Sequence, residues 1–344
     1  MVITTRARAT LRCKLWWRSH AKRTSMAQRE GAESKVGGSA GMSVQAMCGA
    51  AAGGVARVAV APLDVIKIRL QVQQEPLSTG KYNGSVAGAA ATIAREEGAR
   101  GLWRGTVPGL LLWMPYNGVQ FSALGQANRL AERAGLRPNG PLVAIASGAF
   151  AASAASLASY PLDLLRTVLS AQGHPPTYAG PWEACRGVVR ARGLQGLFAG
   201  VAPTLLEIAP YAGVQFGAYS ALRQTARDLS ESSELRGWQG YTCGFVAGAL
   251  GKVAVHPLDV VKKRFQVAGV PRDAKYGQSV SVSLYSGIFD CLRKVVESEG
   301  ARSLFKGVVP NVVKAAPASA VTFGTYELLI KAATSFTSSV DFDR

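Results

Sequence analysis

The sequence is poor in the side chains from which most metal and catalytic centres are built. It has three histidines and five cysteines. The cysteines, at positions 13, 48, 185, 243 and 291, show neither CxxC nor another metal-ligand spacing, and the histidines form no cluster. No metal, disulfide framework or cofactor is expected, and the cysteines read as small buried residues. Without a nucleophile–base pair or a phosphate loop, an enzyme is not expected either. Charge is scarce as well, at 17% against 48% hydrophobic, which departs from soluble-protein usage in both directions. Acids are the rarer sign, 21 against 39 bases, leaving a net charge of +18. Such a balance suits nucleic acid, an anionic membrane surface or an anionic solute. Nucleic acid is disfavoured, because the bases are spread over helix ends and loops with no basic groove.

Acid is absent before Glu30, whereas Arg6, Arg8, Arg12, Lys14, Arg18, Lys22 and Arg23 precede it. That composition fits an organellar targeting segment or a disordered basic tail. Glu30 to Gly41 reads as a flexible linker, so residues 1–41 are set apart as an extension.

What the chain has in abundance is repetition. PLDVIKIRLQ at Pro62 returns as PLDLLRTVLS at Pro161 and PLDVVKKRFQ at Pro257, spacings of 99 and 96 residues. A unit of about a hundred residues is thus written three times, giving repeats at 42–137, 138–236 and 237–344. In each copy Pro interrupts an apolar helix and removes one of its hydrogen bonds. An acid follows two residues on and a base three after that, which places ion-pair partners at one level of three helices.

Each repeat also has two long apolar segments. Residues 36–56, 105–128 and 138–162 carry no charge, long enough to cross a bilayer. The other three are each interrupted by one charge, Glu207, Lys252 or Lys314. Plentiful glycine suits close packing of such helices. Between the two segments of each repeat lies a shorter amphipathic piece: Asn83 to Glu97, Gly180 to Arg192 and Ser286 to Glu299. Each starts near a Tyr-x-Gly turn and suits a helix lying flat at an interface.

These three PLD copies, with EEGARGLWRG and SEGARSLFKG downstream, resemble the mitochondrial carrier signature over about residues 42–334. The resemblance implies an all-α membrane protein: six transmembrane helices in three pseudo-symmetric repeats forming a barrel, with three short amphipathic matrix-side helices. It implies alternating access in a monomer of the mitochondrial inner membrane, the plastid envelope being the other candidate. The implied partners are a small anionic phosphorylated substrate and the bilayer, with anionic lipids at the matrix-side helices. The second repeat departs from the pattern, with Arg192 in the acid's place and Val168 and Ala199 in place of bases.

By the same resemblance the acid of one repeat pairs with the base of another: Asp64 with Arg166, Asp163 with Lys262, and Asp259 with Lys67. Gln71 and Gln266 brace these pairs as a matrix gate. The positions of the opposite, cytoplasmic gate hold Asn128, Arg223 and Glu327, which make no acid–base pair, so that gate is expected to be the weaker. Substrate contacts fall at Leu112, Glu207 and Lys314, each seven residues after a repeat glycine, with Trp113 and Ile208 beside them. Arg57 and Lys252 share a position five residues before their prolines. Charges in lipid-spanning segments normally face a cavity or a partner. Three bases and an acid in one chamber suit a solute with a pyrophosphate end and a cationic end.

The run APTLLEIAPYAGVQFGAYSALR, with HPLDVVKKRFQV, resembles the thiamine pyrophosphate branch of that family. This implies a pyrophosphate held by Arg57, Lys252 and Lys314, a cationic ring facing Glu207, and stacking on Trp113, Tyr116 or Tyr211. Exchange for another phosphorylated solute is expected. An adenine nucleotide or coenzyme A is the alternative cargo, which Glu207 opposes.

Overall fold

A computed structural model describes residues 42–74, 81–82, 85–136, 140–229, 237–270 and 285–342. The basic extension 1–41 lies outside the described residues, as do Asn83 and Gly84 at the start of the first amphipathic piece. The described residues form helices and turns without a strand. Long helices are α1 (Met42–Val72), α3 (Thr106–Arg133), α4 (Pro141–Ala171), α6 (Val201–Leu229), α7 (Gly237–Val267), and the last segment, α9 (Val308–Val313) continued by α10 (Ala315–Phe342). Short helices α2 (Val86–Glu97), α5 (Pro181–Arg192) and α8 (Ile288–Glu299) alternate with them. The chain separates into two compact units, Gly54–Val321 and, by itself, Met1–Gly53 with Thr322–Arg344. All contacts below lie in the first unit.

Among the described residues, four stretches are long and apolar enough to cross a bilayer: Met47–Val72, Val143–Ala171, Leu194–Asp228 and Gln239–Val267. In α3 the polar Asn117, Gln120, Gln126 and Asn128 dilute the apolar run. Its Leu111, Met114 and Phe121 are nonetheless exposed, as are Phe150 and Leu157 of α4 and Leu206 of α6. Large apolar side chains exposed along several long helices mark a surface that meets something other than water.

The short helices are amphipathic because small and branched residues recur one turn apart. Ala89 and Ile93 of α2 pack on Val65, Ile66 and Leu70 of α1. Ala184 and Val188 of α5 pack on Leu164, Leu165 and Val168 of α4. Cys291 and Val295 of α8 pack on Val261 and Ala268 of the third repeat. Ser85 caps α2, its hydroxyl accepting from Gly88 N–H at 3.3 Å. These burials seat each short helix on the first long helix of its own repeat.

Pro62, Pro161 and Pro257 lie inside α1, α4 and α7, which continue through them. A proline leaves the carbonyl four residues earlier without its helical donor. In α1 that carbonyl belongs to Val58, and the Trp103 indole N–H donates to it at 2.9 Å. The other repeats fasten the same region differently. Tyr160, just before Pro161, donates its hydroxyl to Ala199 O at 2.9 Å. His256, just before Pro257, lies with Nε2 at 2.8 Å from Lys306 O, so Nε2 carries the proton. Tyr160 and His256 stack on Phe198 and Phe305.

One glycine per repeat draws the units together. Gly105, Gly200 and Gly307 start α3, α6 and α9 with φ of 79°, 85° and 80°, a conformation costly for L side chains. A Cβ on them would lie 2.6 Å from Arg166 O, 3.0 Å from Lys262 O and 3.0 Å from Lys67 O. Each glycine therefore abuts the backbone of an ion-pair base in another repeat.

Candidate functional site

The prolines put Asp64, Asp163 and Asp259 at equivalent positions just beyond them, where α1, α4 and α7 converge. Asp64 accepts from Arg166. Lys262 lies 2.9 Å from Asp163 and Lys67 2.6 Å from Asp259. Each of α1, α4 and α7 thus gives an acid to one neighbour and a base to the other, and three pairs close a ring. Gln71 Nε2 donates to Asp259 at 3.1 Å, and Gln266 Nε2 to Asp163 at 3.0 Å. Ser170, at the third such position, donates instead to Arg104 O at 2.9 Å. Below the ring Ile68, Val72, Ala171 and Val267 form a buried apolar plug. Removing one partner of a buried pair costs about 3–5 kcal/mol, because the other charge is left without compensation.

Two cavities rest on this ring. One, of about 460 Å³, is lined by Tyr116, Gln120, Ser156, Glu207, Ile208, Tyr211, Gln215, Lys252 and Lys262, among others. The second, of about 760 Å³, is lined by Lys67, Tyr211, Tyr219, Tyr241, Lys252, Asn311 and Lys314, among others. Tyr211 and Lys252 border both. Small-molecule sites are of this size. The linings begin at the ring and run back to Ala144 on α4 and Gly240 on α7. From Asp163 to Ala144 and from Asp259 to Gly240 that is roughly 28 Å along each helix at 1.5 Å per residue, so both chambers extend to the end opposite the short helices.

Charged and aromatic groups sit together in these chambers. Lys252 Nζ is 3.5 Å from Glu207 Oε1 and 4.1 Å from the centre of the Tyr211 ring. Lys314, where α9 gives way to α10, contacts Asp64 Oδ1 at 2.8 Å. Arg57 lies over Trp113 at 5.7 Å and lines neither large chamber. It borders a void of about 20 Å³ beside Asp64 and Arg166. Leu112 and Trp113 also lie outside the linings of the two large chambers.

At the opposite end, Arg223 forms no salt bridge among the described residues, and its guanidinium lies 5.9 Å from the centre of its neighbour's ring, Tyr219. Asn128 precedes Arg129 in the last two turns of α3. Glu327 belongs to α10 in the other compact unit.

Some residues of this region had no role assigned from sequence. Lys263 is buried, donating to Thr167 Oγ1 at 2.8 Å and Gln266 Oε1 at 2.9 Å, with Asp163 3.8 Å away. Its signal was the doubled base KK, found in the third copy alone. Below the ring, Arg69 and Arg104 both hold Glu97, and Arg264 and Lys306 both hold Glu299. Their signal was the acid and base of EEGARGLWRG and SEGARSLFKG. These clusters also cap helix ends across repeats: Arg69 donates to Ser170 O and Gln172 O, Arg264 and Lys306 to Gln73 O. In the second repeat all three positions differ, being Val168, Arg192 and Ala199. Arg192 there donates to Phe265 O and Gln266 O at 3.4 Å, taking over the capping of the next helix.

A threefold ring of ion pairs over a helix-lined chamber coincides with a family match along the chain. The family model described as "Mitochondrial carrier protein" matches residues 38–134, 137–229 and 233–336. The chain belongs to the mitochondrial carrier family. It is therefore a transporter, not an enzyme, with the all-α, six-span carrier fold and three short helices. The carrier is 43% identical over 310 residues to "Mitochondrial thiamine diphosphate carrier 1" of Arabidopsis thaliana, covering 83% of this chain and 92% of that one. It is 42% identical to "Mitochondrial thiamine diphosphate carrier 2" of Zea mays, covering 83% and 93%. With "Mitochondrial thiamine pyrophosphate carrier" of Homo sapiens it shares 38%, covering 82% and 89%.

Proposed function

We propose that this carrier moves thiamine diphosphate across the mitochondrial inner membrane by exchange for another phosphorylated solute. The observation that carries the reading is the charge layout of the chamber. Lys252 and Lys314 border one cavity, and Glu207 lies 3.5 Å from Lys252 on the border of the next. A pyrophosphate matches the two ammonium groups as point charges. The thiazolium cation matches Glu207, which would repel a purely polyanionic cargo. Tyr116 and Tyr211 offer ring faces near that acid, and Tyr211 already holds a cation over its ring. Arg57 adds positive charge from beside Asp64 and Arg166, with Trp113 fixing its guanidinium. Ile208 supplies apolar contact beside Glu207.

In this reading the three ion pairs, with Gln71 and Gln266, are the matrix gate, and the chamber is loaded from the cytoplasmic side. Asn128 and Arg223 belong to the weaker opposite gate. An imbalance of about 5.5 kcal/mol between two gates suffices to move a population from one extreme to the other.

The test is uptake by proteoliposomes loaded with thiamine diphosphate, adenine nucleotides or coenzyme A in turn. Thiamine diphosphate exchange is expected to dominate. Lys314→Ala and Glu207→Gln are expected to lower it at least tenfold with wild-type expression. Preference for a nucleotide, or unchanged kinetics in both variants, overturns the reading.

A further inference from the structure

Asp64 differs from the other two acids of the ring. Its Oδ2 accepts from Arg166 of the second repeat, and its Oδ1 accepts from Lys314 of the third at 2.8 Å. The repeat symmetry shows how singular this is. The residue equivalent to Lys314 is Leu112 in the first repeat and Glu207 in the second. The first has no charge to offer Asp163. The second is an acid that repels Asp259, and it turns to Lys252 instead. Among the described residues, Asp64 is the one ring acid held by bases of both other repeats.

Lys314 is also 30% exposed and borders the larger cavity together with Lys67 and Lys252. One ammonium group therefore stands between two anions, a fixed carboxylate and whatever phosphate enters the chamber. We infer that Asp64 and the pyrophosphate of the cargo compete for Lys314, so that loading the chamber detaches this lysine from the gate. The inference rests on the reading of Lys314 as a phosphate contact. Its consequence is mechanical. Asp64 joins all three repeats, through its own helix, through Arg166 and through Lys314. A phosphate that captures Lys314 unties the first repeat from the third at this point, leaving Lys67–Asp259 as the remaining ring link between those repeats. Asp64 is thus a positioning residue for the substrate site as well as a gate acid.

Substituting Asp64 and Asp163 separates the two roles. Both changes weaken the gate, but only Asp64→Asn frees Lys314. Calorimetry on the full-length purified carrier would use thiamine diphosphate and, as a probe without rings, inorganic pyrophosphate. Affinity for both is expected to rise about tenfold in Asp64→Asn, because the anion no longer competes with a carboxylate for the ammonium group of Lys314. It should stay within about twofold of wild type in Asp163→Asn, while maximal exchange falls in both. Asp64→Glu, which restores the charge, is expected to return the affinity to wild type. In Lys314→Ala, adding Asp64→Asn should bring no such gain. Equal affinity changes in the two Asn variants, or a gain that persists without Lys314, overturns the inference. If Asp64→Asn does not survive purification, uptake kinetics in intact mitochondria carry the same comparison: KM falls for Asp64→Asn and not for Asp163→Asn. A wild-type carrier that binds inorganic pyrophosphate but not thiamine diphosphate overturns the cargo reading and leaves the competition standing on the pyrophosphate data. One that binds neither overturns both.

Discussion

Trp103 repairs a defect that a proline elsewhere in the chain creates. Pro62 frees the carbonyl of Val58, and an indole N–H from the turn before α3 takes it up at 2.9 Å. The sequence displays Trp103 inside GLWRG but not its acceptor, because a contact across 45 residues leaves no mark on local periodicity. Trp103→Phe keeps the aromatic bulk and removes the donor, so the carrier should lose about 1–2 kcal/mol. A fall of a few degrees in melting temperature would show it, and an unchanged melt would contradict this role. Cys291 gives a second check at this scale. Burial pushes its thiol up to about 11, so the thiolate is scarce from pH 7 to pH 9 and appears only as the pH passes that value. N-ethylmaleimide should leave Cys291 unlabelled in the folded carrier at both pH values and label it after denaturation. Labelling before denaturation would contradict the packing described. Lys314 shows the same limit of sequence reading. Its depth was legible from the repeat glycine, but its contact with Asp64 was not, since repeat symmetry offers no counterpart.

In the first and third repeats an acid holds two bases, and those bases cap a neighbouring helix. The second repeat lacks both bases, and Arg192 occupies the acid's place while donating to Phe265 O and Gln266 O at the end of α7. A cation at a helix C-terminus is favourable through the unpaired carbonyls and the dipole. The three departures read from the sequence are thus one exchange: with Val168 and Ala199 in place, an acid at 192 would have no base to hold. Restoring the pattern should therefore harm the protein. Arg192→Glu is expected to lower stability by about 1–2 kcal/mol, more than Arg192→Ala, as read by thermal melting. A glutamate variant as stable as wild type would contradict the capping role. The short helices themselves were legible because their apolar residues recur one turn apart. Their ends at Glu97, Arg192 and Glu299 match the sequence pattern, while α8 begins two residues later than expected, at Ile288.

At the scale of the molecule, threefold repetition made the architecture legible before any contact was known. Prolines spaced by nearly constant intervals required equivalent positions, and equivalent positions made inter-repeat ion pairs the economical arrangement. Less legible was how the chamber divides its charges. Arg57 and Lys252 occupy matching sites in the sequence, yet Lys252 borders both large cavities while Arg57 lies beside a small void at Asp64. The difference arises from the facing helix: Trp113 holds Arg57, whereas Tyr211 and Glu207 hold Lys252 toward the cavity. In the proposed mechanism the two cavities, which share Tyr211 and Lys252, serve as one wet chamber, sealed by the ion-pair ring at the matrix end and loaded from the cytoplasmic end. Ser156 borders that chamber on α4. Ser156→Cys, in an exchange-competent background without native cysteines, can be reacted with a membrane-impermeant thiol reagent from either side of oriented proteoliposomes. Rapid labelling from the cytoplasmic side, slowed by thiamine diphosphate, is the expected result; labelling mainly from the matrix side without substrate would contradict it.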